Sequence, residues 1–320
     1  MKPVWLSLLL LLSAGRAVSQ EINFSRVQDM ALWYNPSLKT DKLSSVKLNY
    51  RNVNFQGMIA YNSTSAMVDL PILSRAAREK ANSGFMNVSM AVASDKSNQG
   101  ILNNTLGAAS FSYAVPLGGD ETYLAAGIQG GYYSSRLKTG GELEFGDQFD
   151  KFGPIEGASS SDRLAGGWSY GYLNVNSGVS LFGNGKHNKW HLGLALQNVN
   201  KPYTDKMRSD LYRQNMRVSV QGGYKYVTSE NDDCAFYASL NWQGKAFKHF
   251  FSGSYFKALK GIDGGVGIGL GYRYDDAIVP NIELRYTKAI LAFAYDVNVS
   301  SINASGVKRN GMEAAIRFDF

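Results

Sequence analysis

Met312-Glu313-Ala314-Ala315-Ile316-Arg317-Phe318-Asp319-Phe320 closes the 320-residue chain, and its alternation decides how the rest is read. Successive side chains of an extended strand point to opposite faces. Met312, Ala314, Ile316, Phe318 and Phe320 therefore share one apolar side, and Glu313, Arg317 and Asp319 share the other. In a water-soluble protein this is a half-buried strand. Whether it belongs instead to a larger closed sheet depends on how far the zigzag recurs.

It recurs along most of the chain. Strands are expected near 45–52, 59–70, 84–94, 105–116, 122–135 and 168–182, then near 189–198, 215–226, 233–243, 246–258, 262–274, 277–286, 289–299 and 310–320. The clearest apolar faces are Met86/Val88/Met90/Val92, Trp190/Leu192/Leu194/Leu196, Met216/Val218/Val220 and Phe236/Ala238/Leu240/Trp242, with Cys234 on the last of them. Fourteen strands is an even number, as single-chain outer-membrane barrels have. A last strand that ends on an aromatic after alternating apolar positions resembles the closing strand of such barrels.

The N-terminus fits export. Lys2 gives a positive start, Leu6 to Leu12 supplies a short apolar run, and Ala17-Val18-Ser19 offers small residues for cleavage. Residues 1–19 are thus expected to be a signal peptide removed after Ser19. The run is far short of the ~20 residues that span a bilayer as a helix, and the absence of a following cysteine argues against a lipoprotein anchor. Removing Lys2 and Arg16 lowers the net charge from +7 to +5, a mild excess that suits scattered solvated charge or anionic surfaces. No motif points to nucleic acid. Cys234 is alone, so no internal disulfide is possible.

Connections test the barrel independently. Residues 117–121, 183–186, 229–232, 260–261 and 287–288 fall where short periplasmic turns are required, and their Gly, Asn and Asp content supplies backbone freedom. The longer connections 136–167 and 199–214 fall on the opposite, cell-surface side. Pro71–Ser83 is expected to be a long basic periplasmic connection with a helical turn at 74–80. Aromatics near strand ends, among them Tyr113, Tyr132, Tyr133, Tyr172, Tyr224 and Phe318, are expected to ring the membrane interfaces. The expected fold is all-β, a transmembrane antiparallel β-barrel over 45–320, with residues 20–44 as a periplasmic or plug segment.

Signs of catalysis are weak. His187 and His191 would lie about 13 Å apart on a strand, too far for one metal, and are read as surface residues. There is no nucleophile elbow and no phosphate or dinucleotide loop, so neither an enzyme nor a cofactor is expected. The stripe Gly265/Gly267/Gly269/Gly271 leaves one inward wall nearly bare, suiting either a closely approaching segment or barrel curvature. Arg217, Ser219, Gln221 and Lys225, and likewise Asn281, Glu283 and Arg285, make polar inward faces.

Several short motifs, in order along the chain, carry a family resemblance. Trp33-Tyr34-Asn35-Pro36-Ser37 and Leu48-Asn49-Tyr50-Arg51-Asn52 resemble the opening of the PorP/SprF family of Bacteroidetes outer-membrane proteins. Phe145-Gly146-Asp147-Gln148-Phe149-Asp150 is similar to its FGDQ loop, and Ala294-Tyr295-Asp296-Val297-Asn298-Val299-Ser300 to its segment near the C-terminus. Ser37-Leu38-Lys39-Thr40 departs from the usual small-residue run. The resemblance implies type IX secretion, tied in some members to gliding motility. Its implied partners are the periplasmic ring, lipoproteins of the machine and the C-terminal domains of secreted adhesins.

The expected role is therefore a non-enzymatic barrel, set in outer-membrane lipid, that binds or anchors secretion partners. Phe145, Gly146, Asp147, Gln148, Phe149 and Phe152 would form the outer docking surface, with the loop folded into the barrel as the alternative. Arg75, Arg78 and Lys80 could meet periplasmic components. A porin-like channel for small solutes is the competing reading.

Overall fold

A computed structural model describes residues 24–55, 61–74, 83–97, 100–118, 121–138, 146–161, 166–204, 213–228, 230–300 and 309–320. Residues 1–19, Phe145, and Arg75, Arg78 and Lys80 with the helical turn expected around them lie outside these residues.

Strands β1 (Ser45–Phe55), β2 (Tyr61–Ile72), β3 (Phe85–Ser97), β4 (Leu102–Pro116) and β5 (Thr122–Leu137) lead the chain. A short ribbon of β6 (Phe149–Asp150) and β7 (Gly153–Pro154) follows. Then come β8 (Trp168–Asn184), β9 (Asn188–Gln197), β10 (Arg217–Val227), β11 (Asp233–Gln243) and β12 (Ala246–Ala258). The last are β13 (Gly264–Arg273), β14 (Ala277–Tyr286), β15 (Ala289–Asn298) and β16 (Arg309–Asp319). Apart from the ribbon, the strands form one closed antiparallel barrel, each stretch expected from alternation becoming one staff of it.

Closure runs through the stretch quoted first. β16 pairs with β1 from Ser45↔Asp319 to Phe55↔Arg309 and with β15 on its other side. Met312, Ile316, Phe318 and Phe320 stand exposed on the outer face, whereas Glu313 is buried inside. Closure leaves no unpaired sheet edge, which is what lipid demands of a spanning sheet.

Several boundaries and faces differ from expectation. β5 runs on to Leu137, because Ser134, Ser135 and Arg136 continue the ladder to β8 after the apolar alternation has stopped. Past the greasy band a strand needs backbone partners but no apolar face. Pro71 and Ile72 belong to β2, paired with Asn87 and Met86, so the connection begins later than Pro71. A proline is tolerated so near a strand end because little ladder remains to lose. Tyr132 is exposed outside, but Tyr133, its neighbour, faces inward and stacks on Tyr172 at 5.0 Å. Period two forbids both tyrosines of that pair from joining an outer ring. His187 sits at the surface with Nδ1 2.9 Å from Val227 O, while His191 turns inward beside Tyr237.

The glycine stripe of β13 does face inward, and rings from β12 lean over it. A Cβ at Gly271 would lie 3.0 Å from the Phe250 ring, and one at Gly269 would lie 2.7 Å from Asn281 Oδ1. The register between β14 and β15 skips Val279 and Pro280, where proline removes a ladder donor beside Tyr295 and Asp296.

Candidate functional site

Residues 24–39, ahead of β1, lie inside the lumen. A 3₁₀ turn, Val27–Met30, runs into one helical turn, Ala31–Tyr34, and the segment continues buried through Ser37 to Lys39. Phe24, Met30, Leu32 and Tyr34 pack against Met67, Ala93, Tyr237 and Phe250, apolar residues on otherwise polar inward faces. That exception to the polar-in pattern gives the segment a small core of its own. Burying each large apolar side chain contributes roughly 1.5–3 kcal/mol.

The Asn35-Pro36-Ser37 turn sits in a cradle of three glycines on adjacent strands. A Cβ at Gly127 of β5 would meet Pro36 C at 2.7 Å, one at Gly178 of β8 would meet Asn35 Oδ1 at 2.0 Å, and one at Gly193 of β9 would meet Asn35 Nδ2 at 2.7 Å. Only glycine admits backbone so close to the wall. Asn35 Oδ1 accepts from Ser37 N at 3.0 Å and Ser37 Oγ at 2.7 Å, and Asn35 Nδ2 donates to Gln221 Oε1 at 3.1 Å. The wall answers with Gln197 Nε2 donating to Tyr34 O at 2.7 Å and Ser180 Oγ donating to Ser37 O at 2.8 Å. Gln129 Nε2 donates to Leu32 O at 3.3 Å.

On the opposite wall the fastening is ionic. Asp296 accepts from Ser25 Oγ at 2.6 Å, pairs with Arg51 at 2.5 Å and with Arg273 at 3.0 Å. Glu313 receives the backbone N–H groups of Ser25 and Arg26, and Arg26 reaches Glu283 at 2.5 Å. Nearer the end where β1 begins and β16 finishes, Lys39 pairs with Asp69. Phe85, Tyr123 and Phe182 cluster there, and Lys42 lies 5.6 Å from the Tyr123 ring centroid. Charges placed in a barrel interior need such partners, since an unpaired buried charge is costly.

At the other end, Gly146–Gln148 forms a 3₁₀ turn before the β6–β7 ribbon. Asp147 accepts from Ser160 Oγ at 2.6 Å, Ser161 N at 2.7 Å and Ser161 Oγ at 2.9 Å. These donors hold its carboxyl below the ordinary carboxylate range. Gln148 Nε2 donates to Ala158 O at 2.8 Å. The polar members of the motif therefore brace the loop, while Phe149 and Phe152 project from it, Phe152 being 85% exposed. Most of the described residues of this loop are exposed.

Apart from this loop motif, residues singled out by resemblance fall in three places. Tyr34, Asn35 and Pro36 belong to the inserted segment; Asn49, Arg51 and Asp296 face it from the wall, Asn49 Nδ2 lying 3.1 Å from Met30 Sδ. Tyr50 and Tyr295 point outward. Sequence reasoning missed Ser25, Arg26 and Glu313, and the cradle glycines. An isolated glycine or a lone acid on a polar face carries no mark of its partner.

Solved structures of similar architecture are bacterial barrels. The Ralstonia pickettii toluene transporter TbuX superposes with a TM-score of 0.54 at 9% identity, covering 90% of this chain and 92% of that one. The Pseudomonas putida toluene transporter TodX gives 0.54 at 8%, covering 94% and 95%. A Pseudomonas aeruginosa FadL homologue gives 0.54 at 8%, covering 89% and 92%. At such identities the likeness concerns fold alone. No curated protein matches the sequence significantly. The family model for the type IX secretion system membrane protein PorP/SprF matches residues 18–312. With nearly the whole chain matched and a closed fourteen-strand barrel behind the match, this protein belongs to the PorP/SprF family of type IX secretion membrane proteins.

Proposed function

We propose that this chain serves type IX secretion as a plugged, non-enzymatic outer-membrane barrel that holds partners instead of conducting solutes. The observation that carries this is the insertion of residues 24–40 into the lumen, fastened to opposite walls by the glycine cradle and by the Asp296 and Glu313 contacts. In this reading residues 1–19 are a cleaved signal peptide, 20–44 the plug and 45–320 the barrel. The chain then meets outer-membrane lipid with its apolar exterior, among it Ile128, Leu173, Phe236 and Ile268.

Partner contacts belong to the two ends. The braced ribbon within 136–167 offers Phe149 and Phe152 as apolar anchors of the kind that dominate protein interfaces, with Phe145, Gly146, Asp147 and Gln148 completing the surface toward secreted adhesin domains. In the same reading the basic residues Arg75, Arg78 and Lys80 serve contact with the periplasmic ring and its lipoproteins. Crosslinking the protein in native membranes, followed by capture, tests this. Recovery of type IX components supports the reading. Recovery of none, with exported proteins still reaching and staying on the surface after the gene is deleted, refutes it and leaves the porin-like channel.

A further inference from the structure

Between the inserted segment and the end that carries the long connections, the lumen keeps a cavity of about 80 Å³. Trp33 and Tyr34 line it from the segment, and the stacked pair Tyr133 and Tyr172 lines it from the wall. The rest of the lining is mainly side-chain amide, including Asn174, Asn198 and Gln214. Among the described lining residues Arg217 is the one charged group, and it is spent on the wall, donating to Gln197 Oε1 at 3.2 Å and to Gln243 Oε1 at 2.9 Å.

One lining acceptor has no donor. Asn174 Nδ2 lies 3.5 Å from Asn198 Oδ1, but the buried Asn174 Oδ1 has no hydrogen-bond partner. It fits where it does because residue 131 is glycine, whose Cβ would stand 2.3 Å from that oxygen. A buried acceptor without a donor is costly, and a turn of the Asn174 amide toward the cavity would offer it a hydroxyl or amide donor of a guest.

We propose that this cavity is a binding site for a neutral sugar residue entering from the end opposite the C-terminus. A hydrocarbon would strand the amides, a cation finds no carboxylate in the described lining, and an anion finds only a guanidinium already engaged. An extended peptide needs a groove several residues long, and a cavity of about 80 Å³ lined by Trp33 and Tyr34 is too short for one. What remains is a compact neutral ligand with hydroxyls for the amides and a C–H face for the tyrosine and tryptophan rings. The space holds about five to eight waters, whose positions the hydroxyls of one hexose ring can take over. This site does not depend on which secretion partners the barrel holds.

The test is calorimetric titration of the full chain in a detergent without a sugar headgroup. The probes are glucose, galactose and N-acetylglucosamine, their linear trisaccharides, and triglycine as a neutral peptide. Saturable one-to-one binding of at least one sugar is expected, weakened about tenfold or more by Tyr172→Ala and by Asn174→Ala. Gly131→Ala, which displaces the Asn174 side chain, should weaken it too, whereas the outward-facing Leu173→Ala should bind as the native chain does. Tighter binding of the trisaccharide identifies the end of a glycan chain as the ligand, and equal binding a free sugar. Heat-dependent gel mobility verifies that each variant is folded. The proposal fails if none of these sugars binds, if the folded pocket variants bind unchanged, or if triglycine displaces the sugar from the same site.

Discussion

Gly178 stands where any side chain would strike Asn35, since its Cβ would come 2.0 Å from Asn35 Oδ1. The wall and the inserted turn are therefore matched at one atom. Gly178→Ala should cost about 1–3 kcal/mol, the range for overpacking a fitted interior. It should also speed amide exchange at residues 35–37. Gly107→Ala, which meets nothing within 4 Å, should leave both unchanged. Hydrogen exchange and thermal unfolding of the detergent-solubilised variants decide it.

Asp296 is 2% exposed and serves Ser25, Arg51 and Arg273 together. Asp296→Asn removes the charge those guanidinium groups answer, and breaking a buried pair on one side costs about 3–5 kcal/mol. Adding Arg51→Gln should recover part of that loss. Chemical denaturation midpoints of the single and double variants measure it, and equal midpoints for native and Asp296→Asn would remove the anchor from the account.

Asp147 gives the surface ribbon a dependence on pH. Its folded pKa lies below the ordinary 3.8 because the donors from Ser160 and Ser161 favour the carboxylate. A lowered folded value means that the stabilisation is complete above the unfolded pKa and is lost as pH falls through the folded one. Protease cleavage within 146–161 should therefore be slow at neutral pH and rise only below about pH 4. Asp147→Asn should cleave faster already at neutral pH.

The barrel was legible because a period of two is written in the residues themselves, from Met86 to Phe320, whatever their partners. The lumen was not legible in the same way. Gly127 and Gly178 are cross-strand partners, and Gly193 pairs with Ser180, two residues further along β8. Only the register brings these scattered glycines beneath Asn35. Arg51 and Asp296 are 245 positions apart and meet because the barrel closes between β1 and β16. Their motifs were visible, but the reason for keeping Arg51 and Asp296 together was not. Aromatic content alone places Tyr133 and Tyr172 in the outer rings, whereas strand parity turns them inward.

Phe152→Ser and Phe149→Ser change side chains that project from the ribbon, so barrel stability should shift by less than about 0.5 kcal/mol. Capture of crosslinked partners should nevertheless fall. Undiminished capture by the double variant would move the docking surface elsewhere on the molecule.

Single-channel recording in a planar bilayer tests the inserted segment most directly. The full chain should give no large steady conductance steps, and a variant lacking residues 24–40 should give them. Large ohmic steps from the intact chain, equal to those of the deletion variant, would contradict a closed lumen.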